Sequence, residues 1–205
     1  MSNEKAAPRR RNKAVLENIL TTTYELLQQN GFERLTIEGV AAKAGVGKTT
    51  IYRWWPSRGA LAVDAFLAVV SPQLSFHETA SASDDIRWQI RRLVKVYDAE
   101  VGRIVREMIG SAQFDNKTLE LFNEGYLKPR RTAAKEALDR GIKQGEFRAD
   151  LDPECVIDAL YGPIYYRLLT GGALCDESFL ATIETFVLAG ISIKGAVAPP
   201  LNADL

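Results

Sequence analysis

Apolar residues recur along most of the chain at spacings of three and four, the period of an amphipathic helix, and convincing two-residue alternation is missing. A first helix is expected from Asn12 to Asn30, with Leu16, Ile19, Leu20, Tyr24 and Leu27 on one face and Gly31 to end it. Thr36 can cap a second, short helix through Ala44 that turns Ile37, Val40 and Ala41 inward. Gly45-Val46-Gly47 reads as a tight turn, and a third short helix covers Lys48 to Trp54. Pro56-Ser57 then breaks and recaps the chain, opening a fourth helix from Arg58 into the low seventies. After a polar connection at Ser75–Ser83, longer helices are expected at 84–100, 102–112 and 116–144. Asp152-Pro153 pairs a cap with a proline at the first helical position, and that helix runs to Leu169 before Gly171-Gly172. A last helix spans 176–193. The pattern predicts an all-α protein of about nine helices.

The segment from Thr36 to Trp55 carries the clearest chemistry. Two short helices joined by a glycine turn can lay the second helix in a DNA major groove. Ala41 is small where the two helices press together, and Gly45 can take the left-handed conformation that the turn demands. Val40, Val46 and Ile51 are spaced to fill a small shared core. The exposed side of the third helix then presents Lys48, Thr49, Tyr52 and Arg53, donors and a ring able to reach phosphates and base edges. Tyr52 lies about 100° of helical rotation from buried Ile51, which turns it outward. Trp55 fits a core position better than a contact.

Charge sharpens this picture. The 205 residues balance 26 Lys+Arg against 26 Asp+Glu, which by itself argues against a basic nucleic-acid binder. The charge is not evenly spread. Residues 1–60 hold 10 basic and 5 acidic residues, a net of +5, and residues 61–205 hold 16 and 21, a net of −5. A basic head on an acidic body is the asymmetry expected of DNA contact through one end.

Gly31-Phe32, Leu35-Thr36, Val40-Ala41, Ala44-Gly45-Val46, Ile51-Tyr52-Arg53 and Pro56-Ser57-Arg58-Gly59-Ala60-Leu61 together resemble the TetR family of bacterial transcriptional regulators. The resemblance implies that Tyr52 and Trp54 lie against the phosphate backbone and that Gly47, Lys48, Thr49 and Thr50 face the groove. It places Arg58 near DNA, and Thr36 would offer its hydroxyl and the helix N-terminus to a phosphate. The family often has His or Tyr followed by Phe where this chain has Trp54-Trp55. The stretches Gly145–Pro153 and Tyr161–Leu169 resemble one recurring C-terminal subtype of the family. The fold so implied is a three-helix helix-turn-helix domain followed by a helical ligand-binding and dimerisation domain. The boundaries are a flexible basic arm at 1–11, the DNA-binding domain at 12–57, the body at 58–195 and a flexible tail at 196–205.

The expected partners are a double-stranded, palindromic DNA operator, a second copy of the chain as a homodimer, and a small-molecule effector that releases a repressor. An activator would share the same head. Candidate pocket residues are Trp88, Tyr97, Met108, Phe114, Phe122 and Tyr126, although aromatic and methionine residues at helical spacing also serve as plain core. Arg91, Arg92, Arg103 and Arg106 could meet an acidic effector or form a solvated face. Tyr165, Phe179, Ile183 and Phe186 on the last two helices are candidate dimer anchors or intramolecular core.

One rival reading is a nucleotide-binding protein, because Ala42-Lys-Ala-Gly-Val-Gly-Lys48-Thr49 matches a relaxed phosphate-loop pattern. A phosphate loop needs a buried strand before it and a long helix after it, and the periodicity here offers neither. Enzymatic constellations are lacking. His77 is the single histidine, and Cys155 and Cys175 fit no metal-ligand spacing, so neither a metal nor a cofactor is expected. Met1 to Lys13 has no apolar core of a secretion signal and no apolar run reaches the length of a membrane span, which predicts a cytoplasmic protein with no membrane partner.

Overall fold

The structure, a computed structural model, describes residues 6–97, 100–171 and 176–193, and it is helical nearly throughout them. In chain order the helices are α1 (Ala6–Asn30), α2 (Ile37–Ala44), α3 (Lys48–Tyr52), α4 (Arg58–Val70), α5 (Ala82–Val96), α6 (Glu100–Ala112), α7 (Asn116–Phe122), α8 (Lys128–Lys143), α9 (Pro153–Thr170) and α10 (Glu177–Ile191). A 3₁₀ turn at Ser71–Leu74 extends α4. The all-α class is borne out, and each expected helix has a counterpart.

Local differences have local causes. The stretch expected as a free arm is helical from Ala6 onward, in keeping with the Ala and Arg residues there, which are good helix formers. Residues 1–5, the tail at 196–205 and Cys175 lie outside the described residues. The single helix expected at 116–144 is interrupted by a π-helical turn, Asn123–Leu127, between α7 and α8. A π turn inserts one residue and rotates the helical face that follows, which periodicity alone does not reveal. Helix α9 runs through Pro163 without ending.

Packing sorts the described residues into two compact units. The first takes residues 1–74 with 96–129, and the second 75–95 with 130–205. The first unit therefore carries α4, α6 and α7 together with the helix-turn-helix, whereas the sequence places its domain boundary after residue 57. In this unit α4 packs on both α1 and α7, and α6 packs on α1 and α7. Its core includes Ile19, Leu27, Phe32, Leu35, Val40, Ile51, Leu61 and Phe66.

The second unit is tied by charged pairs that connect its helices. Arg91 on α5 makes a two-pronged ion pair to Glu184 on α10, at 2.7 and 3.0 Å, and a further pair to Glu177. Arg131 on α8 reaches Glu154 and Asp158 on α9. Asp85, buried, receives the Thr79 amide and hydroxyl and pairs with Arg140. These contacts use Arg91 internally, so it is not the free effector contact considered from sequence. After α8, Phe147 and Ser192 form an antiparallel bridge that pins the end of α10.

Glu146 caps the start of α5, accepting from the Ala82 amide at 2.8 Å, the Ser83 amide at 3.1 Å and the Ser81 hydroxyl at 3.1 Å. Burial works to raise its carboxyl, but these donors and the charge of Arg140 outweigh it and hold the group below its ordinary 4.5. A carboxylate held low when folded contributes in full above the unfolded value, and the contribution fades as pH falls through the lower native value. Acid unfolding followed by circular dichroism should then lose part of its limb below pH 4.5 when Glu146 becomes Gln. Identical acid limbs for wild type and Glu146→Gln would remove Glu146 from the cap.

Candidate nucleic-acid interface

The helix-turn-helix is fixed by its caps before any tertiary contact. The Thr36 hydroxyl accepts from the Gly39 amide at 3.0 Å and closes the start of α2. Gly45 ends α2 with φ of 67°, a left-handed turn that a β-carbon would strain. From α1, the Asn18 amide donates to the Ala44 carbonyl at 3.0 Å and Glu25 pairs with Lys43 at 3.0 Å, so α2 is braced at its C-terminus.

Helix α3 is short, and its orientation depends on two buried residues. Ile51 is fully buried against the core that Val40 and Ala41 share, while Val46 is only half-buried. Trp55 is also buried, and its indole N–H donates to Asp64 on α4 at 2.7 Å. Trp55 is therefore core, as the sequence reading favoured. With Ile51 and Trp55 turned inward, helical rotation turns the intervening residues out. Tyr52 is 51% exposed and Trp54 48% exposed, an unusual cost for large apolar rings unless something covers them. Gly47, Lys48, Thr49 and Arg53 are exposed beside them, and Thr50 is half-buried. The Arg53 guanidinium lies 5.8 Å from the Trp54 ring. One face thus gathers donors, a cation and two rings, the set that suits phosphates and base edges.

Two expected contacts stand differently. Arg58 is turned onto its own chain: its guanidinium donates to the Glu33 carbonyl at 3.1 Å and the Leu35 carbonyl at 3.5 Å, and lies 4.8 Å over the Phe32 ring. In this position Arg58 braces the corner between α1 and α2. Lys48 is exposed, but its ammonium donates to Glu38 on α2 at 3.0 Å. That bond lowers the Glu38 carboxyl and raises the Lys48 ammonium. Glu38 was missed from sequence because helix periodicity marks it only as outward-facing. The segment that mimics a phosphate loop is α2, a turn and five-residue α3, and the element described before it is the helix α1.

A second corner contact comes from α6. Arg103 donates to the Leu27 carbonyl at 3.3 Å and the Gln28 carbonyl at 2.7 Å, at the C-terminal end of α1. Glu107, paired with Arg103 at 3.1 Å, accepts the Phe32 amide at 2.6 Å. Gly31 sits inside this clamp with φ of 79°, and a β-carbon there would lie 2.5 Å from Glu107 and 2.8 Å from Arg103. Arg103 is thus occupied and is not a free effector contact.

The expected pocket residues separate. Tyr97, Met108, Phe122 and Tyr126 are buried within the first unit, where the Tyr97 and Tyr126 hydroxyls meet at 2.6 Å. The Phe66 ring packs edge-on to Tyr126 with centroids 5.1 Å apart. Phe114 is 95% exposed at the turn before α7, which takes it out of any pocket wall. Trp88 belongs to the second unit, its ring centroid 3.7 Å from that of His77 with the planes tilted by 54°. Of the dimer candidates, Phe186 is 77% exposed, Tyr165 and Phe179 are half-buried with Phe179 under the Arg167 guanidinium, and Ile183 is buried core. Tyr166, a residue the sequence reading passed over, is 69% exposed. Among the described residues no helix is long and apolar enough to cross a membrane.

Comparison with known proteins places this arrangement. A family model described as "Bacterial regulatory proteins, tetR family" matches residues 19–65, and one described as "Tetracyclin repressor-like, C-terminal domain" matches residues 76–186. An uncharacterized HTH-type transcriptional regulator of Bacillus subtilis (strain 168), YdeS, is 35% identical over 92% of this chain and 95% of its own. A DNA-binding transcriptional repressor TetR from Mycobacteroides abscessus is 25% identical over 87% of this chain and 94% of its own. The crystal structure of the TetR family transcription regulator SCO0332 superposes with a TM-score of 0.76 at 36% identity, covering 90% of this chain and 99% of that one.

The Lys48–Glu38 pair makes the interface testable. In the free head each charge cancels the other, so Glu38→Gln should leave the ammonium to neutralise one more phosphate. The slope of log K against log salt for DNA binding should steepen by about 0.9, and Lys48→Ala should shallow it. Equal slopes in all three proteins would take Lys48 away from the phosphates. Arg58→Ala should instead leave the slope unchanged and lower the melting temperature, because the corner carbonyls lose a donor worth about 1 kcal/mol.

Proposed function

The chain belongs to the TetR family of bacterial transcriptional regulators, and from that premise we propose that it acts as a homodimeric repressor on a palindromic operator, released by a small-molecule effector. The supporting observation is the exposed face of α3, held at a fixed angle by Ile51 and Trp55. In this reading Gly47, Lys48, Thr49, Thr50 and Arg53 meet the groove, Tyr52 and Trp54 pack against the sugar-phosphate backbone, and the Thr36 end of α2 meets a phosphate. A functional division after residue 57 belongs to the same reading, with the helices beyond it sensing effector and pairing the subunits.

The second copy is proposed to meet the outer faces of α9 and α10. Ala159, Gly162, Tyr166 and Leu169 lie along one exposed stripe of α9, and Phe186 and Ile193 stand out near the end of the second unit. Small residues beside aromatic anchors suit close helix packing across a two-fold axis. Two recognition helices related by that axis fit half-sites one helical turn, or a multiple, apart.

Release is proposed to run through the corner between α1 and α2. Because Arg103 and Glu107 on α6 hold the end of α1 while Arg58 on α4 holds Glu33 and Leu35, a shift of α6 or α4 carries the recognition helix with it. A coupling on the order of 1–3 kcal/mol would change operator affinity from about five- to a hundred-fold. The M. abscessus relative is called a repressor, which favours that direction over activation.

Selection of bound DNA from a random library by the purified protein tests the function. The expected product is an enriched palindrome; unenriched DNA bound at every sequence would point to a compacting protein. On the selected DNA, Arg103→Met should diminish effector release more than it diminishes binding, since it cuts the link between α6 and α1. An effector response as large as that of wild type would move the coupling elsewhere.

A further inference from the structure

Gln89 on α5 has no exposed surface. Its Oε1 accepts from the Tyr161 hydroxyl of α9 at 2.6 Å, and its Nε2 has no hydrogen-bond partner. Turning the amide over does not help, because one end then meets the hydroxyl and the other stays unpaired. The residues a turn away on the same helices, Ile86 and Leu93 on α5 and Ile157 and Ile164 on α9, are buried and apolar, so their side chains offer neither donor nor acceptor. A buried donor left in such surroundings costs free energy, and it persists where water or a ligand takes the bond. Burial pushes the Tyr161 hydroxyl up, so it stays protonated, and the positive charge of Arg130 acts on it in the opposite sense.

We infer that Gln89 and Tyr161 form the polar end of the effector site in the second unit, taking an apolar carboxylate whose oxygen accepts the unpaired amide N–H. The inference rests on the reading of this chain as an effector-controlled regulator and names the chemistry of the effector. The apolar body of the ligand would lie among the aliphatic side chains beside Gln89. The carboxylate would replace the missing partner, and Tyr161 can turn its own hydroxyl toward the second oxygen.

Thermal unfolding of the full-length protein with 1-naphthoate, and with cationic 1-naphthylmethylamine as its counterpart, tests this. Naphthoate should raise the melting temperature of the wild type and the amine should not. Gln89→Leu removes the orphaned amide but also the acceptor of the Tyr161 hydroxyl, so without ligand it should unfold within a few degrees of wild type, and it should bind naphthoate at least about tenfold more weakly. Tyr161→Phe, a milder change, should weaken naphthoate several-fold and keeps the test decisive if the leucine variant misfolds. Naphthoate binding unchanged in both variants, or absent from wild type, overturns the assignment; in the first case the amide holds only a water. Release of the selected DNA separates the two levels. If other compounds release DNA while naphthoate does not bind, effector control stands and this site falls. If naphthoate binds through Gln89 but no compound alters DNA affinity, the site stands and effector control falls.

Discussion

The end of α1 sets the rest of the head. A helix finishes with carbonyls that have no partner, and a buried corner cannot leave them to water. Here Gly31 turns left-handed and takes one, bonding back to the Leu27 carbonyl at 2.9 Å. Arg103 takes the Leu27 and Gln28 carbonyls, Glu107 takes the Phe32 amide, and Arg58 takes the carbonyls of Glu33 and Leu35. Five backbone groups of one short corner are thus satisfied by α4 and α6 rather than by the helix-turn-helix itself. The direction in which α2 leaves that corner decides where α3 points.

This dependence explains why α4 and α6 pack with the head in one compact unit. A boundary drawn after residue 57 follows the motif; the boundary drawn by packing follows the hydrogen bonds. Each is a statement about a different thing. The motif boundary says which residues can touch DNA, and the packing boundary says which residues must move together when they do. The buried cluster of Phe66, Phe122 and Tyr126 lies in that same unit, so a rearrangement of these rings would be felt at α4 directly.

What the sequence made legible was what short-range physics decides. Thr36, Gly45, Ser57 and Asp152 act as caps at the places their chemistry predicts, and Ile51 turns inward as its phase requires. Long-range partners were not legible. Arg58 and Arg103 are arginines on amphipathic helices, and nothing in the spacing shows that one meets carbonyls 25 residues upstream and the other carbonyls 75 and 76 upstream. Tyr165 and Tyr166 differ by one step of rotation, and the stripe left open on α9 includes Tyr166. Phe114 reads as core by composition, yet it sits in the turn between α6 and α7, where no helical face directs it inward.

The charge division also takes on a physical meaning that counting alone did not supply. The net of +5 over residues 1–60 acts at a distance, since a field depends on the sum of charges and not on who is paired. Contact is a different matter. Lys13, Lys43 and Lys48 are each already bonded to a glutamate of the same head, and Arg58 is spent on the corner. On the proposed reading, approach to DNA is fast and indifferent to sequence, while docking has Lys48 exchange Glu38 for a phosphate or a base. Such exposed pairs hold weakly, so the exchange costs little against a strong acceptor and is not repaid by a poor one. In that proposal attraction and recognition are separate: the summed charge brings the head to DNA, and the exchange at Lys48 helps decide where it stays.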